Sequence, residues 1–102
     1  MPIRRDEDYD SVPSRHMVEA VKNWVENGIP PGSFLSAVIT NDLKEAAATA
    51  DSINRHLLFE WVGWFWMRAP SDCWGSLENA QKWIQMHKEA REEANSEKSD
   101  DL

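Results

Sequence analysis

The chain has 102 residues and a formal net charge of −7, with 41% hydrophobic residues, six tryptophans and one cysteine. That length suits one domain, and the acidity argues against partners that select basic surfaces, namely nucleic acid and anionic membrane. A single cysteine, Cys73, excludes an intramolecular disulfide and fits a reducing, cytoplasmic compartment.

Residues 1–10 are polar and acidic and read as a flexible lead-in, with no apolar core behind Arg4 and Arg5 to make a signal peptide. Tyr9 is the lone aromatic there, either loosely packed or docked on the domain or a partner. A first helix is expected to begin within residues 11–14, where either serine can cap it and Pro13 suits a first turn. Met17, Val21, Trp24 and Val25 then form one apolar stripe, and Asn27-Gly28 before Pro30-Pro31 stops it. A second, short helix covers residues 33–40, with Phe34, Leu35, Val38 and Ile39 on one side. Asp42 with Glu45 three residues on matches a capping pattern and marks a restart, the alternative being one bent helix from Ser33.

The third helix is expected over residues 42–68, roughly 40 Å at 1.5 Å per residue. Its first half is alanine-rich and its second half aromatic. Leu43, Ala47, Ala50, Asn54, Leu57, Trp61, Trp64 and Arg68 repeat at helical spacing, while Leu58, Phe59, Val62, Phe65 and Trp66 cover much of the remaining circumference. A helix apolar nearly all round is either central or part of an oligomer interface. Gly63 within it costs about 1 kcal/mol relative to alanine, and its benefit is room for a neighbouring backbone or ring. Ala69-Pro70 ends the helix, Ser76 caps a fourth, and Leu77, Ala80, Trp83, Ile84 and His87 give that helix an apolar side. The pattern fades after Ala90, and residues 92–102 read as an acidic disordered tail. The expectation is an all-α bundle of about four helices, the third long and central, in a single domain over residues 11–91.

The chain carries no Gly-rich phosphate loop, no HExxH, no paired cysteines and no GxSxG. His56 and Glu60 are four apart but lack a third ligand, so no metal or cofactor is expected. One polar set interrupts the alanine-rich and aromatic run: Asp51, Asn54 and Arg55. Asp51 and Arg55 can pair at i,i+4. Asn54 sits in the apolar stripe, where it must find partners or cost about 1 to 3 kcal/mol. Two roles are open to it, a hydrogen bond to a neighbouring helix end or turn, or, with Asn41, Asp51 and Arg55, recognition of a ligand or partner.

Over residues 28–83 the segments IPPGSFLSAVITNDLKEAAATADSIN and PSDCWGSLENAQKW contain a G-x-P-P-G-x-F-L turn, an N-D-L and an A-D-x-x-N segment, and a P-x-x-C-W-G-S turn. In these the chain resembles a group of small phage and prophage proteins of unknown function. It departs from their pattern over residues 59–67, where several tryptophans replace a plainer aliphatic and aromatic run. The resemblance implies a phage or prophage origin and an all-helical domain, and it implies no activity.

The expected function is that of a non-enzymatic protein-binding module, an inhibitor or modulator of a host factor such as a defence complex, acting through an acidic helical surface that complements a basic one. The alternatives are a nucleotide-binding or sequestering protein and a self-associating structural module, a homodimer. The candidate binding residues are Asn41, Asp51, Asn54, Arg55, Phe59 and Trp66.

Overall fold

The computed structural model describes residues 6–100, with side chains described for residues 9–94. Among the described residues the chain is all-helical, without a strand. A 3-10 turn over Asp6–Ser11 and another over Arg15–Met17 lead into six α-helices: α1 Val18–Asn27, α2 Ser33–Ile39, α3 Leu43–Thr49, α4 Ser52–His56, α5 Leu58–Arg68 and α6 Leu77–Asp100. A third 3-10 turn, Ser71–Cys73, joins α5 to α6.

The ends marked by glycine, proline and capping residues form as their chemistry dictates. Gly28 takes the left-handed conformation at φ 66°, and the amides of Gly28 and Ile29 close back onto the carbonyls of Trp24 and Asn23. A side chain is excluded there twice over, because a Cβ on Gly28 would stand 2.8 Å from His87 Cβ. Asp42 caps α3, accepting from the Glu45 amide at 3.1 Å, and Ser76 caps α6, accepting from the Asn79 amide at 3.0 Å.

The single long third helix does not form. Its span is three helices, α3, α4 and α5, so there are six rather than about four, and none of the three is long. Ala50 is extended at ψ 137° and turns inward at 7% exposure. Asp51, also extended, accepts from the Asn54 amide at 2.7 Å and starts α4 as its N-cap. A second break falls at Leu57, where φ −103° and ψ 9° separate α4 from α5. The expected stripe turns inward only from Ala50 to Trp64; Leu43, Ala47 and Arg68 face solvent.

Two further observations bear on the ends of the chain. The first concerns residues 1–10, of which residues 1–5 lie outside the described residues. The rest is helical turn, and Tyr9 is 3% exposed. Its hydroxyl donates to Glu26 at 2.8 Å, Lys22 Nζ lies 5.8 Å from its ring centroid, and the ring packs against Trp64. The second concerns the acidic tail. Residues 101–102 lie outside the described residues, but α6 continues as helix through Asp100, consistent with the strong helix formers Glu, Ala, Lys and Arg that follow the last packed turn.

The core is built around Trp24, Leu35, Ile39, Trp61 and Phe65, all at 2% exposure or less. Four indole N–H groups tie distant segments together. Trp24 donates to the Cys73 carbonyl (3.0 Å), Trp83 to the Trp24 carbonyl (2.9 Å), Trp61 to Asn54 Oδ1 (3.0 Å) and Trp64 to Ser11 Oγ (3.1 Å). The Gly75 amide donates to the Ile39 carbonyl at 2.7 Å, pinning the turn before α6 to the end of α2.

Candidate protein-interaction surface

Helix α5 has two apolar faces, and among the described residues only one is buried. Trp61, Trp64 and Phe65 are buried, Phe65 between the rings of Trp61, Trp64 and Trp74 at centroid distances of 6.4, 5.2 and 5.6 Å. The opposite face carries Phe59 (84% exposed), Val62 (40%), Trp66 (77%) and Met67 (71%). Phe59, Val62 and Trp66 recur at three- and four-residue steps, and Met67 follows Phe59 by two four-residue steps through Gly63, so they form one stripe along the helix. Gly63 lies in the middle of it, and a Cβ built there meets nothing within 4 Å. The room that glycine provides is therefore unused among the described residues.

Two open grooves flank the stripe. One, of about 470 Å³, is lined by Asn41, Val62, Trp66, Ala69, Ser71, Trp74 and Gly75. The other, of about 450 Å³, is lined by Ser11, Pro13, Leu57, Glu60, Gly63, Trp64, Met67 and Arg68. The stripe is thus a ridge between two depressions, a shape that suits a helix or a loop of another protein better than an enclosed small molecule.

The sequence-derived residues divide between this surface and the interior. Phe59 and Trp66 lie on the ridge. Asn41, in the left-handed conformation at φ 62° where α2 ends, is exposed and lines the first groove beside Trp66. Asn54 is elsewhere, buried at 2% exposure. Its Oδ1 accepts from Trp61 Nε1 and from the Ser14 hydroxyl, and its Nδ2 donates to Met17 Sδ (3.0 Å) and to Asp51 Oδ2 (3.4 Å). Both ends of the amide are occupied inside the fold, so Asn54 belongs to core hydrogen bonding rather than to a binding face. The expected Asp51–Arg55 pair is absent among the described residues. Asp51 serves as the α4 cap and faces His16 Nε2 at 3.9 Å, while Arg55 is exposed. Val62, Gly63 and Met67 complete the ridge and were not singled out as site residues. The signal was available as a second set of three- and four-residue steps, offset from the one that fills the core.

The remaining chemistry is sparse. Burial pushes the Cys73 thiol up to about 12, which leaves it protonated and unreactive. Burial, and then the charge of Arg91, lower the pKa of His87, whose Nε2 is buried without a partner and whose ring stacks edge-on against Trp83. Among the described residues no three His, Cys, Asp or Glu side chains gather as metal ligands, and no helix is long and apolar enough to cross a membrane. No protein-family model, curated protein or solved structure matches the chain. The class that fold and surface define is a small, tryptophan-rich all-helical protein with an uncovered apolar helix face.

Proposed function

We propose that this chain is a non-enzymatic protein-binding module of phage or prophage origin that modulates a host factor. The observation that carries the reading is the solvent-facing stripe of α5. Exposed apolar side chains that line up along a helix and are flanked by grooves gain free energy only when another protein covers them.

Charge selects the partner's chemistry. The chain carries −7 overall, and the outer part of α6 exposes Glu89, Glu92 and Glu93 beside Lys88 and Arg91. A net acidic chain suits a host protein with a basic surface, such as the nucleic-acid channel of a defence complex. Recovery of host proteins on the tagged chain from lysate tests this. One binder held at low salt and weakened at high salt is the expected result, and recovery of no host protein at either salt refutes it. The nucleotide-binding alternative is the weaker one, since the groove holding Trp66 and Trp74 has no lysine or arginine in its lining to meet a phosphate, and the one cation lining the other groove, Arg68, shares it with the carboxylate of Glu60.

A further inference from the structure

The protein-binding reading leaves open what covers α5, and the stripe itself supplies an answer. On an ideal helix, Gly63 points away from the core, with Phe59 and Met67 about 40° to either side of it and Trp66 and Glu60 about 60° to either side. Phe59, Val62 and Trp66 thus share one flank, and Glu60 and Met67 share the other. The grooves agree, Val62 and Trp66 lining one while Glu60, Gly63 and Met67 line the other.

This arrangement is self-complementary. Place a twofold axis at Gly63 and lay a second α5 antiparallel across the first. Residues whose numbers sum to about 126 then stand at the same level, because each step along a helix rises about 1.5 Å. The symmetry also makes each flank face itself. Phe59 of one copy meets Trp66 of the other, twice, beside the two Val62 side chains. On the opposite flank Met67 lies along the stem of Glu60 from the second copy. The Gly63 backbones meet at the axis, where the absence of a side chain permits the closest approach of the helices.

We infer that the occupant of the α5 stripe is a second copy of this chain, in a twofold antiparallel α5–α5 pair centred on Gly63. This rests on the reading of α5 as a protein-binding surface and names the protein bound there. The area is consistent with it. With roughly 150–250 Å² for a fully exposed aromatic side chain, and less for Met67 and Val62, the four stripe residues present on the order of 500 Å² per copy. That gives about 1,000 Å² for the pair, the lower bound for a specific interface. The dimer would display two outward acidic surfaces, leaving α6 available to a basic host factor.

Electrostatics separates the two contacts. Both copies carry −7, so salt screens their repulsion and strengthens the apolar pair, whereas it weakens a contact with a basic protein. Light scattering and sedimentation on the full chain should read twice the chain mass, with the dimer fraction rising as salt is added. Gly63→Leu should read a single chain mass with unchanged helical content, because the new side chain meets nothing in its own fold. Trp66→Glu should do the same. Register is read by oxidation. Gly63→Cys should form an intermolecular disulfide at the axis. Met67→Cys should not, since its two copies stand about 12 Å apart along the axis, beyond disulfide reach. The buried Cys73 does not compete.

A wild-type chain that remains single at millimolar concentration in both low and high salt overturns the inference. So does cross-linking of Met67→Cys as readily as Gly63→Cys, which would mean a parallel pair. A single chain that still retains a host protein through the α5 stripe overturns the self-association and leaves the protein-binding reading standing. A dimer that recovers no host protein overturns the host-factor reading and leaves α5 as a protein-binding surface taken by a second copy.

Discussion

Replacing Asn54 by alanine tests whether one buried amide holds the two halves of the chain together. Its Oδ1 accepts from Trp61 Nε1 at 3.0 Å and from the Ser14 hydroxyl, joining α5 to the turn that leads into α1. The substitution leaves both donors buried without an acceptor, at about 1 to 3 kcal/mol each. The Ser14 hydroxyl can rotate and find part of its partner elsewhere, which favours the lower half of that sum, about 2–4 kcal/mol. For a chain near 100 residues this lowers Tm by about 8–32 °C, at roughly 4–8 °C per kcal/mol. Urea unfolding followed by tryptophan fluorescence measures it, and a cycle with Ser14→Ala apportions it. Ser14→Ala should cost about 1 kcal/mol in the wild-type background and nearly nothing beside Asn54→Ala, because its hydrogen-bond partner is already gone. An Asn54→Ala loss below about 0.5 kcal/mol, or strict additivity with Ser14→Ala, would refute the argument.

Gly28→Ala should destabilise by about 2 kcal/mol or more in the same assay, since alanine strains the left-handed conformation by about 1–2 kcal/mol and its Cβ meets that of His87 at 2.8 Å; a neutral outcome would mean that α6 is free to move off α1. Cys73 should resist a thiol reagent in the folded protein and react at the rate of unfolding, because a thiol held at about 12 is protonated at any ordinary pH; prompt labelling without denaturant would contradict its burial. His87 has a folded pKa below the 6.5 of the exposed group, so the unfolded chain binds the proton more readily. Its stability contribution is full above pH 6.5 and declines as pH falls through the interval between the two values. His87→Leu should flatten the stability profile between pH 7 and 5, and an unchanged slope would assign the acid sensitivity to other groups.

The parts of the fold legible in the sequence are those punctuated by residues with one conformational use. Gly28 before Pro30-Pro31, Asp42 with Glu45, Pro70, and Ser76 each mark an end that forms where expected. The breaks at Ala50 and Leu57 have no such punctuation. Alanine on either side of Thr49 favours an unbroken helix on propensity alone. Asp51 caps Asn54 by the same geometry through which Asp42 caps Glu45, but its cue competes with helix formers on both sides. Leu57 carries no cue at all, and its turn is set by tertiary packing. Of the surface, Phe59 and Trp66 were legible as apolar positions outside the main stripe. Met67 was hidden by lying one residue before the basic end of the helix, and the open space at Gly63 is a property of the fold rather than of any sequence pattern.

Hydrophobicity alone does not orient α5. A rotation of half a turn would bury Phe59, Trp66 and Met67 and expose Trp61 and Phe65, with little change in the apolar area removed from water. The polar ends of the tryptophans break that near-degeneracy, because a buried indole N–H needs an acceptor. Trp61 finds Asn54 and Trp64 finds Ser11. Burying Trp66 instead would set its N–H about 7.5 Å further along the helix than that of Trp61, away from Asn54, whose Oδ1 would lose its indole donor. The amide that interrupts the apolar stripe thus fixes which face of α5 enters the core, and by the same act which face, with Gly63 at its centre, is left for a second molecule.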